Sequence, residues 1–272
     1  MARKTIYYRD PLDDDFAGTK INTKTVPADF PFVVRNPFWV VLEFICYRLI
    51  ATPLVWLIGK IGFGLKIRNR KALKRLRKTG FYLYGNHTQA MMDAYVPTLC
   101  VFPHKAHIIA NPDAVSIPGI RWLVMMLGAI PLPGTAKGYR AFWEALDARV
   151  AQRHVIAVYP EAHIWPWATC IRPFPDGSFG YPVRQNVPAV ASVTTYRKRK
   201  LFSKLPPKMT VTLSEPFYPD QTLSPREARH VLRDQVYRFM EEHADDPSNY
   251  AYYIYLPAEG LANTAESASA GG

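Results

Sequence analysis

The sequence predicts an α/β protein: a single mixed, mostly parallel sheet flanked by helices, preceded by an N-terminal membrane-associated helical hairpin. Three observations support this. Apolar runs at 81–84, 106–110, 154–159, 187–195 and 209–214 have the length of buried strands. Helix-period patterns lie between several of them, and in 138–152 Tyr139, Phe142, Trp143, Leu146 and Val150 recur at helical spacing, as core-facing positions do. Two runs end directly in polar chemistry, Asn86-His87 after the first and Tyr159-Pro160-Glu161 after the third. Such endings fit a site at the strand ends of an open α/β sheet.

Along the chain, residues 1–36 are turn-rich, carry an acidic Asp13-Asp14-Asp15, and read as an irregular N-terminal arm. Residues 38–65 are strongly apolar but interrupted by Glu43, Arg48 and Lys60, and the longest charge-free piece, 49–59, has 11 residues and contains Pro53. Crossing a bilayer takes about 20 apolar residues, so the segment reads as a helix–turn–helix lying in one leaflet. The alternative is a buried hairpin of core helices. Between 66 and 78 stand eight basic residues and no acidic one: Lys66, Arg68, Arg70, Lys71, Lys74, Arg75, Arg77 and Lys78. Beside an apolar segment such a cluster suits anionic headgroups, at about 1 kcal/mol per residue near the surface; alone it would read as a solvated helix face. Arg197-Lys198-Arg199-Lys200 adds a second basic run. Ser224-Pro225-Arg226-Glu227 is a capping box with proline at the first helical position, opening a helix to about His243. The organisation expected is therefore an arm at 1–36, amphipathic membrane-binding helices with the basic stretch at 37–78, an α/β domain at 79–258 and a small, polar, disordered tail at 259–272.

The chain has 272 residues, 49% of them hydrophobic, and a net charge of +12, so it can build a full core and favours an anionic partner. It has no zinc-finger spacing and no RRM-type aromatic motif, so nucleic acid is not the expected partner. Cys46, Cys100 and Cys170 have no metal or redox spacing and fit free thiols in a reducing compartment. No apolar signal core follows Met1-Ala2-Arg3-Lys4. The expected location is the cytoplasmic face of a membrane, peripheral or monotopic.

His87 and Asp93 carry the chemistry. A carboxylate that holds one imidazole nitrogen leaves the other free as a general base near neutral pH. No Gly-x-Ser-x-Gly marks a serine nucleophile. His104 and His107, two residues apart with no further ligands at suitable spacing, make a weak metal pattern, and no bound metal or cofactor is expected.

The ordered motifs resemble the glycerolipid acyltransferase family that includes 1-acylglycerol-3-phosphate acyltransferase. Asn86-His87 through Asp93 is similar to that family's first block, an Asn-His followed by an Asp. Tyr159-Pro160-Glu161 resembles its Phe-Pro-Glu-Gly-Thr-Arg block. The segment from Gly119 through Gly128-Ala129-Ile130-Pro131 resembles its middle block, and Asn186-Val187-Pro188-Ala189-Val190 its last strand. Order and spacing agree over about residues 36–215, and the apolar-then-basic N-terminal part fits that family's membrane-embedded hairpin. The resemblance implies transfer of a fatty acyl group from acyl-CoA or acyl carrier protein to a lyso-glycerophospholipid hydroxyl. The partners it implies are a membrane surface with anionic lipids, the lyso-lipid acceptor and the thioester donor. His87 and Asp93 are then catalytic, and Asn86, Glu161, His163 and Arg172 are candidates for substrate binding. The apolar helices are a candidate acyl tunnel, with Trp165 and Trp167 at its mouth or in the packing.

The chain departs from the family pattern in two ways. Five residues separate His87 from Asp93 where the family has four, and one extra residue turns a helix by about 100°. The pair can then meet only if His87 sits in the turn before the helix or a bulge absorbs the residue. The family's phosphate-contacting residues are also largely replaced: its Gly-Thr-Arg reads Ala162-His163-Ile164, its Asp-Arg reads Leu132-Pro133 and its Lys reads Asn111. Arg172 and His163 are the substitutes expected to meet phosphate, with Lys105 and Lys137 weaker. A different lipid acceptor, a metal-assisted hydrolase built from His87, Asp93, His104, His107 and Glu161, and a lipid-binding scaffold without turnover remain open alternatives.

Overall fold

The computed structural model describes residues 3–18, 23–117, 119–201 and 204–258. Strands β1 (Lys4–Tyr8), β2 (Lys66–Arg68), β3 (Phe81–Gly85), β4 (Ala106–Ala110), β5 (Ala129–Pro131), β6 (Val155–Val158), β7 (Ala189–Arg197), β8 (Lys208–Leu213) and β9 (Tyr253–Pro257) are joined by helices α1 (Pro37–Phe44), α2 (Thr52–Gly62), α3 (Val96–Val101), α4 (Arg121–Met126), α5 (Ala136–Ala151), α6 (Gly180–Gln185) and α7 (Pro225–Ala244). Among the described residues, seven strands form one sheet in the order β2-β8-β7-β3-β6-β4-β5. β3 is parallel to β6 and β7, and β4 to β5 and β6, whereas β8 is antiparallel to β7 and carries β2 parallel to itself. The sheet is mixed and mostly parallel, as expected. β1 and β9 form a separate parallel pair, so the N-terminal arm contains a strand.

The apolar runs form the sheet because both faces are covered, which suits continuous hydrophobic strands. Tyr82, Tyr84, Ile156 and Val158 face a core completed by Phe142 and Leu146 of α5 and by Leu232, Val236 and Met240 of α7. Phe81, Leu83, Val155 and Ala157 alternate to the other face, against Leu76 and Leu99. The capping box of α7 forms as expected, Ser224 accepting from Glu227 N and the Glu227 carboxylate from Ser224 N, an arrangement worth about 1 kcal/mol. Because β3, β4, β5, β6 and β7 share one direction, their C-terminal ends share one edge of the sheet. His87 follows β3 at that edge, and Tyr159 follows β6.

The N-terminal apolar segment is not a hairpin. It is one helix, Pro37–Gly62, of 26 residues, long and apolar enough by length and composition to cross a membrane. A π segment, Ile45–Ala51, joins α1 to α2 without a turn. It ends two residues before Pro53, whose ring and missing N–H disrupt the four-residue ladder. The three interrupting charges all turn toward the domain: Glu43 pairs with Lys105, Arg48 donates to the Pro103 carbonyl, and Lys60 donates to the Leu65 carbonyl at 3.0 Å. The outer face is left to exposed Phe38, Val41, Phe44, Leu49, Trp56 and Ile61. A linear search for charge-free sequence therefore understates how apolar that face is.

The basic stretch also belongs elsewhere. Lys66–Arg68 is a sheet strand, and the following 3-10 turn, Arg70–Leu76, buries Ala72, Leu73 and Leu76. The α/β domain thus begins near residue 65 rather than 79. The expected tail at 259–272 lies outside the described residues.

Candidate active site

Residues 86–89, after β3, have no regular structure, and Asp93 belongs to the 3-10 turn Met92–Ala94. His87 is thus placed before any helix, one of the two ways the longer spacing allows. His87 Nδ1 lies 2.9 Å from Asp93 Oδ2. The same oxygen accepts the backbone N–H groups of Thr88 and Gln89, both at 2.8 Å. A carboxylate only accepts, so Nδ1 carries a hydrogen, and in the neutral ring Nε2 is the nitrogen with the lone pair. Asp93 is buried, while the His87 side chain keeps 17% of its exposure. Asp93 is thus shielded, and the imidazole is the more accessible partner of the pair.

Tyr159 completes the support. Its ring stacks on His87 with centroids 4.5 Å apart at 18°, and its hydroxyl donates to the Asp93 carbonyl at 2.6 Å. Burial, then the Asp93 carboxylate, push its phenol well above the usual tyrosine value, which keeps it a donor. Gly85 permits this approach: a Cβ there would stand 2.9 Å from the Tyr159 ring. Motif reasoning alone does not mark Tyr159 as a neighbour of His87 and Asp93. It stands where the family block has phenylalanine, and the added hydroxyl is the signal that could have found it.

The remaining candidates form the frame around the dyad. Asn86 is buried and clamps β7, donating to the Thr194 carbonyl at 3.1 Å and accepting Thr194 N–H at 2.8 Å. Glu161 accepts His87 N–H at 2.9 Å and Arg172 N–H at 3.0 Å, and its carboxylate meets the Arg172 guanidinium at 3.2 Å. That guanidinium is buried, donates also to the His163 carbonyl, and lies 4.9 Å from the Trp165 ring centroid. Arg172 is thus engaged inside the loop. His163 is half-exposed, 4.0 Å from Asp15 of the N-terminal arm. Ala162, at the position of the family's glycine, adopts φ +62°. Trp165 is buried, and Trp165 N–H and Trp167 N–H bond the His87 and Thr88 carbonyls at 3.1 and 2.9 Å. Both tryptophans therefore hold the loop: Trp165 packs on Tyr8, Phe16 and Tyr255, and Trp167 on Phe63, Tyr196 and Tyr252.

Other candidates lie apart. Lys105 precedes β4 and His107 belongs to its start, at the opposite strand ends, where His107 Nε2 lies 3.1 Å from His154 Nδ1. His104 Nδ1 bonds the Arg153 carbonyl at 2.7 Å. Lys137 is exposed in the first turn of α5, which follows β5 on the His87 edge. Among the described residues no three His, Cys, Asp or Glu side chains are grouped to hold a metal ion.

Residues 65–194 match the Acyltransferase family model. The chain resembles the PlsC-like glycerolipid acyltransferases, as its ordered motifs imply. The crystal structure of the 1-acyl-sn-glycerophosphate (LPA) acyltransferase PlsC from Thermotoga maritima superposes with a TM-score of 0.53 at 18% identity. The match covers 79% of this chain and 90% of that one, and at this identity it is a likeness of fold. No curated protein matches the chain. The acyltransferase-type stretch at 65–194 contains His87, Asp93, Tyr159, Glu161 and Arg172, so the whole frame around the dyad lies within it.

Proposed function

We propose that this protein moves a fatty acyl group from a thioester, carried by coenzyme A or acyl carrier protein, to a hydroxyl of a lyso-glycerophospholipid in phospholipid biosynthesis, with 1-acylglycerol-3-phosphate the first acceptor to test. The observation that carries the reading is the 2.9 Å contact between His87 Nδ1 and Asp93 at the carboxyl edge of the sheet. Nε2 takes the acceptor's proton as its oxygen attacks the thioester carbonyl carbon. The C–O bond forms, the C–S bond breaks, and the proton on Nε2 passes to the departing thiolate. Asp93 orients the ring and stabilises the imidazolium. Base catalysis of this kind contributes about 10²–10⁴ in rate. His87→Ala should remove that much transfer from purified, folded protein.

The oriented imidazole favours turnover over a scaffold role. The hydrolase reading has less support, because His104 and His107 lie at the other strand ends. The outer face of Pro37–Gly62 supports association with a membrane, in this reading its cytoplasmic surface.

A second reading of the acceptor draws on Arg172, whose guanidinium is already bonded to Glu161 and the His163 carbonyl. An acceptor without a phosphate monoester needs no free guanidinium there. Transfer to glycolipids or lyso-phosphodiesters in preference to lysophosphatidate would select this reading.

A further inference from the structure

A cleft of about 550 Å³ lies between α1, the start of β4 and the end of α5. Arg35, Arg48, Lys105 and Arg149 line it together with His154 and one carboxylate, Glu43. Glu43 pairs with Lys105, Arg48 Nη2 donates to the Pro103 carbonyl and Arg149 Nη1 to Gln152 Oε1 at 3.4 Å, so the lining sets four cationic side chains against one carboxylate. Arg48 Nη1 and Arg149 Nε are enclosed and have no hydrogen-bond partner among the described residues. Enclosed donors of this kind call for an acceptor. Burial, then Lys105, Arg149 and Arg48, push the His154 imidazole down to about 4, as a positive local field does. Arg48 also stands in the wall of an apolar groove of about 650 Å³ along α2, bordered by Trp56, Leu65, Ile67 and Leu99.

We propose that this cleft binds a phosphate group, carried by a membrane-lipid headgroup or free in solution. Guanidinium forks match phosphate oxygens in pairs. Arg48, Arg149 and Lys105 in the wall supply the positive charge, and the exposed Arg35 supplies attraction at the rim. The groove that shares Arg48 with the cleft offers a course for an acyl chain when the phosphate belongs to a lipid. The cleft opens at the amino-terminal ends of β4 and β6 and His87 at the carboxyl edge, so this site is separate from the dyad and does not rest on the acyl-transfer reading.

The test uses the purified full-length protein, the variants Arg149→Gln and Arg35→Gln, and Lys200→Gln as a charge-matched control outside the cleft. Inorganic phosphate is titrated calorimetrically in detergent, and flotation is measured with phosphatidylcholine vesicles with and without phosphatidate. Circular dichroism checks folding, and Arg35, exposed at the rim, provides a variant that leaves packing in place. Saturable phosphate binding weakened at least about tenfold in both cleft variants, but not in Lys200→Gln, identifies a site for free phosphate. Phosphatidate-dependent flotation with the same pattern, without binding of inorganic phosphate, identifies a headgroup site. Binding of neither probe, or equal weakening by Lys200→Gln, overturns the proposal.

Discussion

Oδ2 of Asp93 accepts from the imidazole and from the N–H groups of Thr88 and Gln89, so one side chain both orients the ring and closes the turn that carries it. Asp93→Ala should therefore lose activity and also cost about 1–3 kcal/mol of stability, because two buried donors lose their acceptor. His87→Ala should lose activity with little change in denaturant midpoint. Parallel assay and urea unfolding separate the two; equal destabilisation by both would mean that the dyad is mainly structural. Ala162, held at φ +62°, should prefer glycine: Ala162→Gly is expected to raise stability by up to about 1 kcal/mol, since a left-handed alanine costs about 1–2 kcal/mol before glycine's added chain entropy is subtracted. A lower melting temperature would contradict this. His87, Asp93 and Glu161 were legible in the sequence as polar residues after strand-like runs. The engagement of Arg172 was not, because whether a guanidinium is free depends on a carboxylate 11 residues away, brought beside it by the fold.

Among the elements, the strands at 81–85, 106–110, 155–158, 189–197 and 208–213 could be read because both sheet faces are covered and the runs are continuously apolar. β2, β5 and the β1–β9 pair could not, being short or supported by partners remote in sequence. The long helix reads as a hairpin in one dimension because Glu43, Arg48 and Lys60 look like breaks; in three dimensions they are inward anchors. The Glu43–Lys105 pair is largely buried, with side-chain exposures of 10% and 13%. Burial pushes the lysine below its usual value, Glu43 opposes that, and Arg149 and Arg48 add to the lowering. Glu43→Ala should destabilise the protein by about 3–5 kcal/mol, because it strands a buried ammonium. Adding Lys105→Met should restore much of the loss, as urea midpoints would show. No recovery in the double variant would assign the loss to packing of α1 rather than to charge.

At the scale of the whole molecule, the helix presents an apolar outer face, and basic residues of the 66–78 stretch add positive charge to the domain. Trp56→Asp with Ile61→Asp places two carboxylates on that face, each opposed by about 2.5–3.5 kcal/mol if inserted. The double variant is expected to leave vesicles in a flotation assay, and unchanged flotation would show that the face does not contact lipid. The most direct test of the central claim is acyl transfer by purified protein from a labelled acyl thioester, presented on coenzyme A and on acyl carrier protein, to a panel of lyso-lipids, glycolipids and glycerol phosphates, with His87→Ala alongside. Base catalysis by His87 predicts transfer to at least one acceptor and a loss of about 10²–10⁴ in the folded variant. Undiminished transfer by His87→Ala, or no transfer to any acceptor from either donor, would contradict it.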